Sequence, residues 1–296
     1  MSQWTRRNFL ASSVAGGPLL AGMTSPTDSL ALAAGAAPAS PLKIGIVTYN
    51  IAKDWDLPTI IKNCTQTQYD AVELRTSHAH GVELSLTPGQ RAEVKQAFAD
   101  SPVKLAQLGS TYEFHSADPA VVRKNVEGCK SYIQLARDVG AGGVKVRPNG
   151  LQTKAGIPVE KTLEQIGLSL RALGQTAADN DVEVRLEVHG AGTSRIEYIQ
   201  TIMKVADHSH VTVNWNSNPT DLEGGTLEEN FARVSHKVTH VHMHDLFSAY
   251  PWRKLFGLLS AMKFQGYCCA EIPESSDPLR VMRYFRALFL AYQDII

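Results

Sequence analysis

From Lys43 onward the chain alternates short β-like runs with longer helical patterns, and it does so eight times. The runs are Lys43–Thr48, Ala71–Arg75, Val103–Leu108, Gly143–Arg147, Val182–Val188, Val211–Trp215, Val238–Met243 and Tyr267–Ile272. The helical stretches between them are clearest at Pro88–Asp100, Pro119–Val139, Pro158–Asn180 and Pro278–Tyr292. Each opens on a proline, which suits the first helical position because the N–H it lacks would have no intrahelical partner there. Thr87, Asp118 and Asp277 precede three of them as N-caps, and Gly140 and Asn180 suit a left-handed residue at a helix exit. A helix between successive strands is the crossover that parallel pairing requires. A doubly wound open sheet also alternates strand and helix, but it usually needs fewer units, and no G-x-G-x-x-G follows the first run. Eight units in about 260 residues match a single-domain (β/α)8 TIM barrel over residues 41–296.

Residues 1–40 do not belong to that pattern. Arg6-Arg7-Asn8-Phe9-Leu10 precedes an uncharged stretch rich in Ala, Gly and Leu, and Ala31-Leu32-Ala33 then resembles a cleavage site. Paired arginines before Phe-Leu resemble a twin-arginine export signal, so the expectation is a signal peptide and linker, and a periplasmic or otherwise exported protein. Export in the folded state would begin where thiols stay reduced. Cys64, Cys129, Cys268 and Cys269 are therefore expected to be packing residues. A Cys268–Cys269 disulfide would be strained, since neighbouring strand residues point to opposite faces.

The chain carries 29 basic and 29 acidic side chains and no formal net charge. Removing the first 33 residues takes away only Arg6, Arg7 and Asp28. A nucleic-acid binder would normally show a basic footprint, so a nucleic-acid partner is not expected. No segment after the signal is apolar for long enough to span a membrane.

Parity divides each strand into two faces. Val184 and Leu186 oppose Glu183, Arg185 and Glu187; Val72 and Leu74 oppose Glu73 and Arg75. Val144 and Val146 oppose Lys145 and Arg147; Val213 and Trp215 oppose Thr212, Asn214 and Asn216; Val241 and Met243 oppose His240, His242 and His244. Helices covering a barrel need the apolar face, so the polar face points inward. Buried charges are costly unless paired or metal-bound, and internal ion pairs such as Glu73 with Arg75 or Lys145 would satisfy some of them.

Glu187, Asn216, His242 and Glu271 recur at about one strand–helix unit, near the C-terminal ends of strands five to eight, the rim that carries active sites in such barrels. Two carboxylates, a carboxamide and an imidazole suit Mn²⁺, Mg²⁺, Co²⁺ or Zn²⁺. Lys145 and Arg147 would either grip an anionic or hydroxyl-rich substrate or form internal ion pairs. The segment His78-Ala79-His80-Gly81 would either close over a substrate or be a surface loop. Trp215 should face a helix, and Trp252 lies where it could stack on a sugar.

Leu186-Glu187-Val188-His189-Gly190, His240-Val241-His242-Met243-His244-Asp245 and Ala270-Glu271-Ile272 resemble the xylose isomerase-like barrel superfamily of sugar isomerases and epimerases. The resemblance covers residues 43 to about 292. It implies a metal held by Glu187, Asn216, His242 and Glu271, with Glu187 and Glu271 as the acid/base pair. It also implies that His189 binds a sugar hydroxyl or orients a ligand, and that Asp245 supports an imidazole from behind. Asn216 stands where the family commonly has Asp, and His244 where it commonly has Lys. The first departure removes a negative charge, and the second puts a group able to titrate near neutral pH at the rim.

The function expected is a divalent-metal-dependent sugar isomerase or epimerase, acting on a small-molecule carbohydrate, with homo-oligomerisation open. Two alternatives are a lyase or hydratase cleaving keto-glycosides by elimination, and a non-catalytic carbohydrate-binding barrel with a degraded metal site. Related apurinic endonucleases need a larger His-rich metal cluster and a basic face for DNA, and neutral charge and an export signal argue against that option.

Overall fold

The computed structural model describes residues 41–296, so the signal assigned to residues 1–40 lies outside the described residues. Eight strands form a closed parallel barrel in sequence order: β1 (Lys43–Val47), β2 (Ala71–Arg75), β3 (Lys104–Glu113), β4 (Gly143–Arg147), β5 (Glu183–Glu187), β6 (Val211–Trp215), β7 (Val238–Met243) and β8 (Tyr267–Ala270). Closure runs from Lys43↔Tyr267 to Ile46↔Ala270. Each strand is followed by a helix: α1 (Leu57–Thr67), α2 (Pro88–Ala99), α3 (Pro119–Val139), α4 (Val159–Asp179), α5 (Ile196–Ala206), α6 (Leu227–Val234), α7 (Trp252–Ala261) and α8 (Pro278–Ala291).

The two strand faces separate as parity requires. Val184, Leu186, Val213, Trp215, Val241 and Met243 are fully buried among the strands and helices of one apolar core. Trp215 meets Phe231 of α6 edge-on, with ring centroids 5.2 Å apart. On the other face Glu73, Gln107, Asn214, His240 and His242 are equally inaccessible. The barrel interior is therefore polar, and its groups must satisfy one another or a ligand.

The caps follow the sequence with two exceptions. Thr87 closes a capping box with Gln90, Asp118 accepts from the Ala120 N–H, and Asp277 accepts from the Arg280 N–H. Pro158, however, is the N-cap of α4 and Val159 its first residue. Asn180 keeps a negative φ, because its amide donates back to the Thr176 carbonyl; Asp181, at φ 52°, makes the left-handed turn instead.

β3 runs five residues past its expected end. Its register with β4 shifts after Gly109, and Glu113 still pairs with Arg147. All four cysteines are buried free thiols. No helix among the described residues is long and apolar enough to cross a membrane.

Candidate active site

The upper ends of β5 to β8 bring the four rim residues together. Glu187 ends β5, His242 faces inward from β7, and Asn216 and Glu271 lie directly beyond β6 and β8. Ligand atoms of Glu187, His242 and Glu271 lie within 4.8 Å of one another. His242 Nδ1 is 3.2 Å from Glu187 Oε1 and 3.6 Å from Glu271 Oε2. Asn216 is 2% exposed and lines the same cavity as the two carboxylates. Its Oδ1 is buried with no hydrogen-bond partner among the described residues. An orphaned buried carbonyl oxygen costs about 1–3 kcal/mol, so this atom is available to a cation or other ligand in the cavity. Three oxygens and one imidazole nitrogen fit a divalent cation, and the two carboxylates match its charge.

Beneath the rim, His242 Nε2 sits 2.6 Å from Glu73 Oε2, which also accepts from Gln107 Nε2 at 2.5 Å. His242 thus donates downward to Glu73 and turns Nδ1 toward the rim, the arrangement that fixes the tautomer of a metal-binding histidine. The expected pairing of Glu73 with Arg75 or Lys145 does not form. Lys145 Nζ instead lies 3.0 Å from Glu187 Oε2. A Cβ at residue 109 would come within 2.5 Å of Glu73 Oε1, so glycine there gives the carboxylate its room. Deeper still, His240 Nδ1 is 3.5 Å from the Arg185 guanidinium. Burial first, and the Arg185 charge with it, push His240 down to about 4, against the pull of Glu73.

Burial opposes charge on the groups at the rim and on His242, and for Lys145, Glu187, Glu271 and His242 opposite charges override it. Burial would lower Lys145, but Glu187, Glu73 and Glu271 raise it. Burial would raise Glu187, but Lys145 and His242 hold it well below the carboxylate range. Glu271 is lowered in the same way against burial, by His244 and His242. Burial would discharge His242, yet Glu73 and Glu187 lift it to about 10.

Lys145, Arg147, His189 and His244 all line one cavity of about 300 Å³ with the rim carboxylates. Lys145 and Arg147 are each ion-paired, with Glu187 and Glu113, and each also lines the cavity. Arg147 donates to Glu113, Asn149 Nδ2 donates to the same Glu113 oxygen at 2.6 Å, and His189 Nδ1 pairs with Asn149 Oδ1 at 2.9 Å. His244 Nε2 stands 3.5 Å from Glu271 Oε2.

Tyr49, Arg75 and Asn218 also line the cavity and were not among the expected site residues, and Glu113 was missed with them. Arg75 had a signal in the inward parity of β2. Asn218 lies within the polar string Asn214-Trp215-Asn216-Ser217-Asn218. Glu113 had none, since the run was expected to stop at Leu108.

Two expected roles are corrected. Trp252 does not reach the cavity: it is 2% exposed, packed against Tyr250 and Phe256, and donates to Ser248 Oγ. As the first residue of α7 it faces the core rather than the barrel mouth. Asp245 is exposed and supports no imidazole, because its carboxylate accepts the Phe247 N–H within its own turn. The segment His78-Ala79-His80-Gly81 is a surface turn, with Ala79 and Gly81 exposed and the two rings turned in toward Arg75. His80 is buried, and both rings bond to Arg75.

Among solved structures, the chain is similar to 3-keto-D-glucoside 4-epimerase, YcjR, from E. coli, with a TM-score of 0.71 and 18% identity over 84% of this chain and 99% of that one. It is similar to an L-ribulose 3-epimerase, with a TM-score of 0.72 and 16% identity over 86% and 95% of the two chains. It is also similar to the IOLI protein with a binding zinc atom, with a TM-score of 0.67 and 15% identity over 86% and 98%. At such identities the likeness speaks to the fold. Among curated proteins, none matches the sequence. The sequence profile of one family does match, over residues 61–288, and the chain belongs to that family, the xylose isomerase-like TIM barrel.

Proposed function

We propose that the protein is a divalent-metal-dependent epimerase or isomerase of a small sugar or sugar derivative, working by proton transfer at a carbon beside a carbonyl. The observation that carries this reading is the pair Glu187 and Glu271. They reach one cavity from strands three apart in the ring, with His242 between them and the orphaned Asn216 oxygen at the same cavity. Two carboxylates approaching from different sides can remove a proton from one face of a carbon and return it to the other. The sugar-epimerase neighbours support the substrate class.

Glu187, Asn216, His242 and Glu271 would hold the cation, whose Lewis acidity favours negative charge on the substrate oxygens. The remaining steps belong to the chain itself. Lys145 keeps Glu187 ionised and ready to accept the proton. Glu271, ionised at rest beside His244, takes a proton from solvent and passes it to the opposite face of that carbon, while Glu187 releases the proton it removed to solvent. His189 spends its Nδ1–H on Asn149, which leaves Nε2 to accept a hydrogen bond from a substrate hydroxyl.

The test is solvent hydrogen exchange on a ketose panel in deuterated water, followed by NMR and mass. The metal-loaded protein should place deuterium at the carbon beside the carbonyl and return an isomer otherwise unchanged in mass. Glu187→Gln should abolish the exchange while leaving the circular dichroism spectrum intact. Exchange at the normal rate in that variant removes Glu187 as the base. A released fragment would instead identify an elimination.

A further inference from the structure

We infer that Arg75 is an anion-binding group of the cavity, and that the substrate carries a negatively charged oxyacid group, a carboxylate or a phosphate. This deepens the reading above by naming the substrate class of the same site.

Three cationic side chains line the cavity. Two are neutralised by the protein, Lys145 by Glu187 and Arg147 by Glu113. Arg75 has no carboxylate within 4.0 Å among the described residues. A half-buried guanidinium inside a cavity, with no counter-charge, is costly unless a ligand supplies one.

The surroundings of Arg75 are built to hold it in place. Its guanidinium lies over the Tyr49 ring, 4.9 Å from the centroid. Nη1 is 3.4 Å from His78 Nε2. His78 Nδ1 is 2.9 Å from Thr48 Oγ1, which also accepts the Arg75 N–H at 3.0 Å. Burial first, with the Arg75 charge behind it, pushes His78 down to about 4. The neutral ring therefore accepts from Arg75 through Nε2 and donates to Thr48 through Nδ1. His80 Nε2 donates to the Arg75 carbonyl at 2.8 Å, and its Nδ1 accepts the Val82 N–H.

The Tyr49 ring and the His78 imidazole thus meet one face and one edge of the guanidinium, while Thr48 and His80 hold the Arg75 backbone beneath it. Among the described residues nothing bonds to Nε or Nη2. That free edge is the planar fork that matches a carboxylate or phosphate. The cavity, at about 300 Å³, is at the small end of ligand pockets, which suits a single sugar unit with one such group.

The experiment uses the metal-loaded full chain and three ketoses that differ at one end only: D-fructose, D-fructuronate and D-fructose 6-phosphate. Calorimetric titration should show at least one of the charged pair binding about 10- to 100-fold more tightly than fructose, the weight of charge-assisted hydrogen bonds. Preference for fructuronate identifies a carboxylate, and preference for the 6-phosphate a phosphate. Arg75→Gln should erase the preference, and Arg75→Lys should restore part of it. Circular dichroism and melting temperature serve as controls for folding. Equal binding of all three sugars, no binding of any, or a preference that survives in Arg75→Gln would overturn the proposal. Metal content and hydrogen exchange are read separately. A protein that prefers the anion through Arg75 but exchanges no hydrogen keeps this inference and loses the epimerase reading.

Discussion

The centre of the site is one imidazole held between carboxylates above and below. Glu73 receives the lower face of His242 at 2.6 Å, with no solvent access to either group. Replacing it by Gln keeps an oxygen that can accept from Nε2 but removes the charge that holds the ring. Metal affinity should then fall by about 10- to 100-fold, the usual weight of a group that orients a metal-binding histidine. Titration of the metal-free protein with Mn²⁺ measures this, and unchanged or tighter binding would leave Glu73 without that role. Glu73 also shows where sequence reading stops. Parity turned it inward, but its partner lies 169 residues away on the far side of the barrel. That pairing depends on stagger and on register shifts, including one beside Glu73 itself, which alternation along one strand does not encode. The convergence of Glu187, Asn216, His242 and Glu271 was readable because all four sit at the same end of successive units. Trp252 and Asp245 were misplaced because their partners lie within their own loop and helix.

The barrel itself was readable, because each strand–helix unit carries its own periodicity and most carry their own cap. The connections were less so, and the one after β6 shows why. There Asp221 is fully buried and accepts from the Tyr250 hydroxyl at 2.8 Å, while the same hydroxyl accepts from Trp215 Nε1 at 3.0 Å. One polar chain thus ties the end of β6 to the loop before α6 and the loop before α7. Burial lifts the Asp221 carboxyl to about 7, against the Tyr250 hydrogen bond. An unfolded Asp ionises near pH 3.9. Between those values the folded chain holds a proton that the unfolded chain has released, so this group makes stability fall as pH rises. The full cost, on the order of 4 kcal/mol at most, is in place above about pH 7. Asp221→Asn keeps an acceptor for Tyr250 and cannot ionise. Its melting temperature should exceed that of the parent at pH 8, and the two should converge near pH 4. A difference of the same size at both values would mean that Asp221 is not buried as a neutral acid.

For the whole molecule, closure decides what reaches solvent. Cys64 lies on α1, Cys268 and Cys269 on β8, which pairs with the strand before α1, and Cys129 on α3 further round the ring. All four are buried, and burial pushes each thiol up, Cys64 to about 12 and the others further. A thiolate is the reactive form, so ionisation and access both oppose reaction while the barrel is closed. Neighbours on one strand, Cys268 and Cys269 point to opposite faces, so they do not bridge without breaking β8 from its partners. A chain that folds before it meets an oxidising compartment would therefore keep its thiols reduced through burial alone. Thiol titration of the folded protein at pH 8 should find none reactive, and denaturant should release four. The melting temperature should be the same with and without a reducing agent. A melting temperature that drops on reduction would mean that a disulfide, and not closure of the barrel, protects these residues.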